Sequence, residues 1–355
     1  MSVVHLDDRA ALQALDAGGM LSAVAALPDH VRDAYASGGA ATGLPDLEGV
    51  TAVVFCGMGG SAVAGDVLKH AYRDVLRVPV DVNRSPLLPA FAGPDTLVVV
   101  SSYSGNTSET LSSFRDAVAR GCRIVAVTGG GTLGAECAQH GLPVVPVPGG
   151  FQPRAALGHL TFAMLGALEA AGLLPSLAGD VAETVEVLGS IAAALGPEIP
   201  AETNAAKAVA QRIGDRVPVV WGADGIGALA AMRWKTQLNE NGKLPAWHAA
   251  MSELDHNEVV GWTVPYGAGH AVIGLRHDGE VAELQARFPL SAQIALDSGA
   301  TYEEVQASGH SALARLLSLI LVGDYVSCYV GLHRGIDPTP VVVIDRLKST
   351  LAGDA

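Results

Sequence analysis

GMGGS at residues 57–61 and SSYSGNTSET at residues 101–110 each follow a short apolar run, Val53-Val54-Phe55-Cys56 before the first and Leu97-Val98-Val99-Val100 before the second. A helix-like stretch follows each loop. Two strand–loop–helix units in succession predict a parallel sheet with its loops at the C-terminal ends of the strands. They also set small residues at helix N-termini, where first-turn N–H groups lack partners and the dipole is positive, so an anion is well received. Glycine lets the backbone approach closely, and Ser and Thr add short donors. The expected ligand is a phosphate, and the hydroxyl-rich second loop suggests a phosphosugar rather than a nucleotide.

The pattern around these loops extends the reading. Strand-like runs occur at Ala52–Cys56, Val78–Val82, Thr96–Ser101, Arg123–Thr128 and Pro143–Val147, with helical stretches such as Ala62–Arg73, Ser108–Arg120 and Leu133–His140 between them. Continuous apolar strands alternating with helices predict a sheet covered on both faces. Val217–Trp221 followed by GADGIGALAAM echoes Val53–Cys56 followed by GMGGSAVAGD, and Ala271–Leu275 followed by RHDGEVAEL faintly echoes the second loop unit. This reads as a degenerate internal duplication in which only the first copy keeps the serine and threonine loops. The expected plan is an N-terminal helical segment over 1–50, a phosphosugar-binding domain over 51–150, a helical linker over 151–200 and a second domain with C-terminal helices over 201–355. Within the first fifty residues, two short helices are expected around Leu12–Ala26 and His30–Ala36.

A chain of 355 residues suits two domains, and its net charge of −14 argues against nucleic-acid or anionic-membrane partners. Cys56, Cys122, Cys137 and Cys328 are scattered without C-x-x-C spacing, which argues against a zinc site and for a reduced, cytoplasmic setting. The opening MSVVHLDDRAAL lacks the basic and apolar regions of a signal peptide. Leu313–Leu332 is the most apolar stretch, but Arg315 and Asp324 interrupt it, so a buried helix is expected rather than a membrane span.

GMGGSA and SSYSGNTSET, in this order and spacing, resemble the sugar isomerase (SIS) domain. QPRAALG (152–158), NENGKLPAW (239–247), ELDHNEVVGW (253–262) and DPTPVVVIDRLK (337–348) resemble the bifunctional phosphoglucose/phosphomannose isomerase family. The resemblance covers the chain from about residue 50 to 350. It implies an α/β fold of two SIS-type doubly wound domains, each a parallel sheet flanked by helices, in a homodimer. The implied reaction interconverts glucose 6-phosphate and/or mannose 6-phosphate with fructose 6-phosphate, with no cofactor and no metal.

Such an aldose–ketose isomerisation needs a phosphate anchor, ring opening, a base between C1 and C2, and positive charge for the enediolate. The resemblance puts phosphate contacts at Gly59, Gly60, Ser61, Ser102, Ser104 and Thr107, where the helix-terminus argument also leads. Glu240, flanked by Asn239 and Asn241 after a helix-like segment, is the expected base, held in one orientation and raised in pKa by partial burial. By resemblance, His256 opens the ring from the neighbouring subunit, Arg154 stabilises the enediolate, and Lys348 is a further active-site group. Thr339 is a candidate for the pocket wall near C2. An isomerase for another phosphosugar remains an alternative reading. So does a non-catalytic phosphosugar-binding SIS protein, in which Glu240 and His256 would be surplus. An amidotransferase-type aldose isomerase would carry an N-terminal cysteine nucleophile, and no cysteine precedes Cys56. Trp221, Trp234, Trp247 and Trp262 are read as core or interface residues, not stacking platforms.

Overall fold

The computed structural model describes residues 3–353. Its elements begin with α1 (Arg9–Leu15), α2 (Met20–Ala25), α3 (Leu27–Gly39), β1 (Ala52–Cys56), α4 (Gly60–Ala71), β2 (Val80–Asn83) and β3 (Thr96–Ser102). There follow α5 (Ser108–Ala119), β4 (Arg123–Thr128), α6 (Gly131–His140), β5 (Val144–Pro146), α7 (Leu157–Ala170), α8 (Ala178–Leu195) and α9 (Ala205–Ile213). The remainder is β6 (Val217–Ala223), α10 (Ile226–Glu240), β7 (Trp247–Met251), β8 (His270–Arg276), α11 (Ala282–Gln285), α12 (Arg287–Asp297), β9 (Thr301–Gln306), α13 (Ala312–His333) and α14 (Val342–Ala352).

The chain divides into two units. The first comprises Ala26–Ser190 and Ser308–Ser318. Its five-stranded sheet has the order β2-β1-β3-β4-β5, parallel throughout. β1 and β3 are buried along their whole length, as their unbroken apolar runs require of strands covered on both faces. One face packs Val54, Val98, Val100 and Ile124 against Phe114 and Leu133. Residues 26–50 and 151–190, set apart in the sequence reading as an N-terminal segment and a linker, are packed inside this unit. α7 is buried from Leu157 to Leu168, which its lack of a polar face demands. α3 lies so close to α7 that a Cβ at Gly38 would stand 2.1 Å from the Ala163 carbonyl oxygen. Alanine- and glycine-rich composition, which reads as linker, here permits close helix packing.

This packing buries two imidazoles, His30 on α3 and His159 on α7, with ring centroids 4.2 Å apart and Phe151 against both. Burial lowers the pKa of His159 to about 4, with His30 acting in the same direction and Asp33 opposing. Burial also lowers that of His30, against the pull of Asp29 and Asp33. Both rings are therefore neutral in the fold and take up protons more readily in the unfolded chain. Their contribution to stability is complete above the unfolded value of 6.5 and is lost as pH falls towards 4. Tm is expected to drop across that window, and His159→Leu should flatten the drop. An equally steep fall in the variant assigns the acid sensitivity to other groups.

The second unit comprises the residues up to Ala25, Ile191–Ala307 and everything from Leu319 onward. Its parallel sheet has the order β7-β6-β8-β9. That is the order of β2-β1-β3-β4, as a duplication requires. The N-cap residues of α4 and α10 agree as well: Gly59 has φ 52° and ψ −129°, and Gly225 has φ 91° and ψ −127°. Trp221 and Trp234 are fully buried, whereas Trp247 is 57% exposed. The N-terminal residues are fastened to this unit through Lys207, a buried ammonium that donates to Asp7 Oδ1 at 3.1 Å, Pro197 O at 3.0 Å and Ile199 O at 2.7 Å. All three of its protons are thereby used, as a buried lysine needs.

α13 has the length and apolarity to cross a membrane, and 89% of its apolar window is buried within the protein. The four cysteines are buried and none forms a disulfide, and burial pushes Cys56 and Cys137 up to about 11, far from nucleophilic range.

Candidate active site

In the first unit the two glycine–serine loops meet at the C-terminal ends of β1 and β3. Neither α4 nor α5 receives a capping bond from the side chain at its N-cap position, Gly59 or Thr107. In α4 the Ser61 and Ala62 N–H groups donate to Met58 O and Gly59 O, both at 3.1 Å, so the turn itself takes up part of the donor set that the sequence reading leaves open there. Ser61 Oγ accepts from the Tyr103 N–H at 3.3 Å, which fastens one loop to the other. Ser102 Oγ accepts from the Gly105 N–H at 3.1 Å and lies 3.3 Å from Thr107 Oγ1. Ser102 is only 2% exposed, so its hydroxyl shapes the turn. Ser104 and Gly59 are exposed. Ser104 Oγ accepts from the Asn106 N–H at 3.2 Å.

Arg154 joins this group. It lies on a 3-10 turn, Pro153–Ala156, and is 3% exposed. A Cβ on Gly60 would stand 3.2 Å from Pro153 O and 3.6 Å from Arg154 Cα, so the arginine backbone abuts the first loop. Tyr103, which sequence reasoning missed, supports the same turn: its hydroxyl accepts from the Phe151 N–H at 2.8 Å. Only its place inside SSYSGNTSET signalled it. Gly59, Gly60, Ser61, Ser102, Ser104, Thr107 and Arg154 are thus brought together in one unit. A cleft of about 440 Å³ lined by Lys69, His70, Arg73 and Arg77 lies at the other end of α4 and holds none of them.

Glu240, His256, Thr339 and Lys348 belong to the second unit. Glu240 is the last residue of α10 and half-buried. Its amide neighbours fasten the chain on both sides. Asn239 Oδ1 accepts from the Ala246 N–H at 3.0 Å, and the fully buried Asn241 donates to Ser327 Oγ at 3.0 Å. Lys243, also missed, donates to the main-chain oxygen of Glu240 and, at 2.9 Å, to Pro338 O beside Thr339. His256 closes the 3-10 turn Glu253–His256. Its polar neighbours are engaged: Asp255 receives Arg287 at 2.9 Å and Ser291 at 2.7 Å, and Glu258 Oε1 accepts from the indoles of Trp221 and Trp262 at 3.1 and 3.2 Å. His256 itself is exposed. Lys348 is exposed on α14, as are Val342, Val343 and Leu347 on the same helix.

Residues 202–351 match the model of the bacterial phospho-glucose isomerase C-terminal SIS domain. The chain is 39% identical over 335 residues to the bifunctional phosphoglucose/phosphomannose isomerase of Caldicellulosiruptor bescii, covering 94% of this chain and 99% of that one. It is 34% identical over 308 residues to the enzyme of the same name from Aquifex aeolicus, covering 86% and 92%. Among solved structures, the C-terminal domain of glucosamine-fructose-6-phosphate aminotransferase from Francisella tularensis superposes with a TM-score of 0.67 at 17% identity. That match covers 90% of this chain and 97% of that one and shows a shared fold.

Proposed function

Because the chain belongs to the bifunctional phosphoglucose/phosphomannose isomerase family, we propose that it interconverts glucose 6-phosphate and mannose 6-phosphate with fructose 6-phosphate. Proton transfer runs through a cis-enediolate without a metal. The observation that carries this reading is the joined pair of glycine–serine loops, tied by Ser61 to Tyr103, with Arg154 against Gly60.

In this reading Gly59, Gly60, Ser61, Ser102, Ser104 and Thr107 hold the phosphate, and the first turn of α5, which Thr107 does not cap through its side chain, adds its dipole. His256 transfers a proton to or from the ring oxygen as the ring opens. Glu240 then carries the proton between C2 and C1 while Arg154 offsets the charge that develops on the enediolate. Lys348 adds a further cation, and Thr339 faces C2. The active form is a homodimer, and His256 acts on the partner's substrate. Support for this comes from an exposed imidazole on a loop whose Asp255 and Glu258 carboxylates are engaged within the fold. The uncovered apolar side chains Val260, Val264 and Tyr266 near it, and Val342, Val343 and Leu347 on α14, add to that support. A cytoplasmic setting fits four buried cysteines of which none forms a disulfide.

The test is a coupled assay of the purified protein in EDTA with each aldose separately. Turnover of both sugars to fructose 6-phosphate is expected. A folded protein that binds phosphosugars and turns over neither sinks the isomerase reading in favour of a binding module.

A further inference from the structure

Lys243 has a φ of +50° and is the one non-glycine residue with positive φ among the described residues. That backbone state is uncommon for a side-chain-bearing residue and persists where surrounding contacts dictate it. The contacts here come from two segments. The ammonium donates to the carbonyl of Glu240, and it donates to Pro338 O at 2.9 Å. Pro338 lies in the Asp337–Pro340 turn, where the Thr339 N–H donates to Asp337 Oδ1 at 2.8 Å.

The other side of Thr339 is closed by the N-terminal residues. A Cβ built on Gly18 would stand 2.5 Å from both Thr339 Cγ2 and Oγ1, so the α1–α2 turn presses on that side chain. The turn is itself fixed, because the Asp16 carboxylate accepts from the N–H groups of Met20 and Leu21 at 2.8 and 2.9 Å. A lysine that merely capped the last carbonyls of α10 would need neither the bond to Pro338 nor a left-handed backbone.

We propose that Lys243 and the Gly18 turn are positioning residues. Together they hold Thr339 at a fixed place relative to Glu240 and so set the relative rates on the two C2 epimers. The proposal rests on the reading of Glu240 as the base and of Thr339 as the group at C2. Glucose 6-phosphate and mannose 6-phosphate differ only in which side of C2 bears the hydrogen and which the hydroxyl. Their relative rates therefore depend on where the base stands with respect to the group that meets the hydroxyl. A misplacement of about 1 Å alters catalysis strongly even when it originates away from the chemistry.

The experiment measures kcat/KM on both aldoses, with Tm, for Lys243→Met, Lys243→Arg, Gly18→Ala and the reference variant Thr339→Ala. In Lys243→Met and Gly18→Ala the ratio of the two kcat/KM values should shift about threefold or more, with Lys243→Arg returning towards wild type. A fall on both sugars by one common factor, with the ratio unchanged, overturns the proposal and leaves a structural helix cap. A shift in Thr339→Ala alone overturns the clamp and keeps Thr339 at C2. No shift in Thr339→Ala removes Thr339 from C2, and the clamp falls with it. Should Lys243→Met not fold, Gly18→Ala decides, since Gly18 is exposed and does not require positive φ.

Discussion

Glu240→Gln is expected to lower kcat by at least about a hundredfold on both aldoses while leaving phosphosugar binding nearly intact, the scale of a lost general base. The substitution is isosteric, and the main chain around it is fastened by other groups. The backbone carbonyl is held by Lys243, Asn239 is tied to Ala246, and the buried Asn241 is tied to Ser327. The proposed phosphate-binding loops belong to the other unit. The loss should therefore appear in kcat and not in the affinity for fructose 6-phosphate. Turnover within a few-fold of wild type would remove Glu240 from the base role. The same variant also tests the dimer. Mixed with His256→Ala after subunit exchange, it should regain activity, because one hybrid site then has both groups. Failure to regain activity despite proven exchange would place His256 and Glu240 of one chain on the same substrate.

What the sequence made legible follows from which signals are local. β1 and β3 are central parallel strands buried along their length, so their apolar runs stand out, and the loops after them carry their own chemistry. β7 and β9 were not legible because they are edge strands. Trp247 and His248 of β7 are exposed, and β9 reads TYEEVQ, with neither a continuous apolar run nor clean alternation. The N-terminal residues gave no hint of their place, since their fastening depends on Lys207, about two hundred residues along the chain from Asp7. Lys243 lies within the NENGKLPAW block, yet its bond to Pro338 joins it to a partner 95 residues away that no local pattern signals. Tyr103 was hidden in the same way: its hydroxyl meets a main-chain N–H that no spacing rule connects to it. Conversely, the amides beside Glu240 suggested an oriented carboxylate, and their bonds to Ala246 and Ser327 show that they anchor the chain around it.

Arg154→Met is expected to reduce kcat by about a hundredfold or more, the usual cost of removing a fixed electrostatic stabiliser of a charged intermediate. The position poses a sharp alternative. The Arg154 backbone stands against Gly60, and the two roles open to the side chain, phosphate ligand or enediolate stabiliser, predict different kinetics. A phosphate ligand is engaged equally in the ground and transition states, so its loss raises KM and spares kcat. A group that meets the enediolate acts only as charge develops, so its loss lowers kcat and spares KM. Ser104→Ala with Thr107→Ala supplies the reference for the first pattern, because both hydroxyls are proposed phosphate contacts and their loss should mainly raise KM. Arg154→Lys separates charge from shape: the lysine keeps the positive charge but lacks the planar fork, and it should recover only part of the loss. Arg154 is 3% exposed, so Tm must accompany the kinetics. A stable Arg154→Met protein with wild-type kcat and a raised KM would move this arginine to the phosphate and leave the enediolate to Lys348.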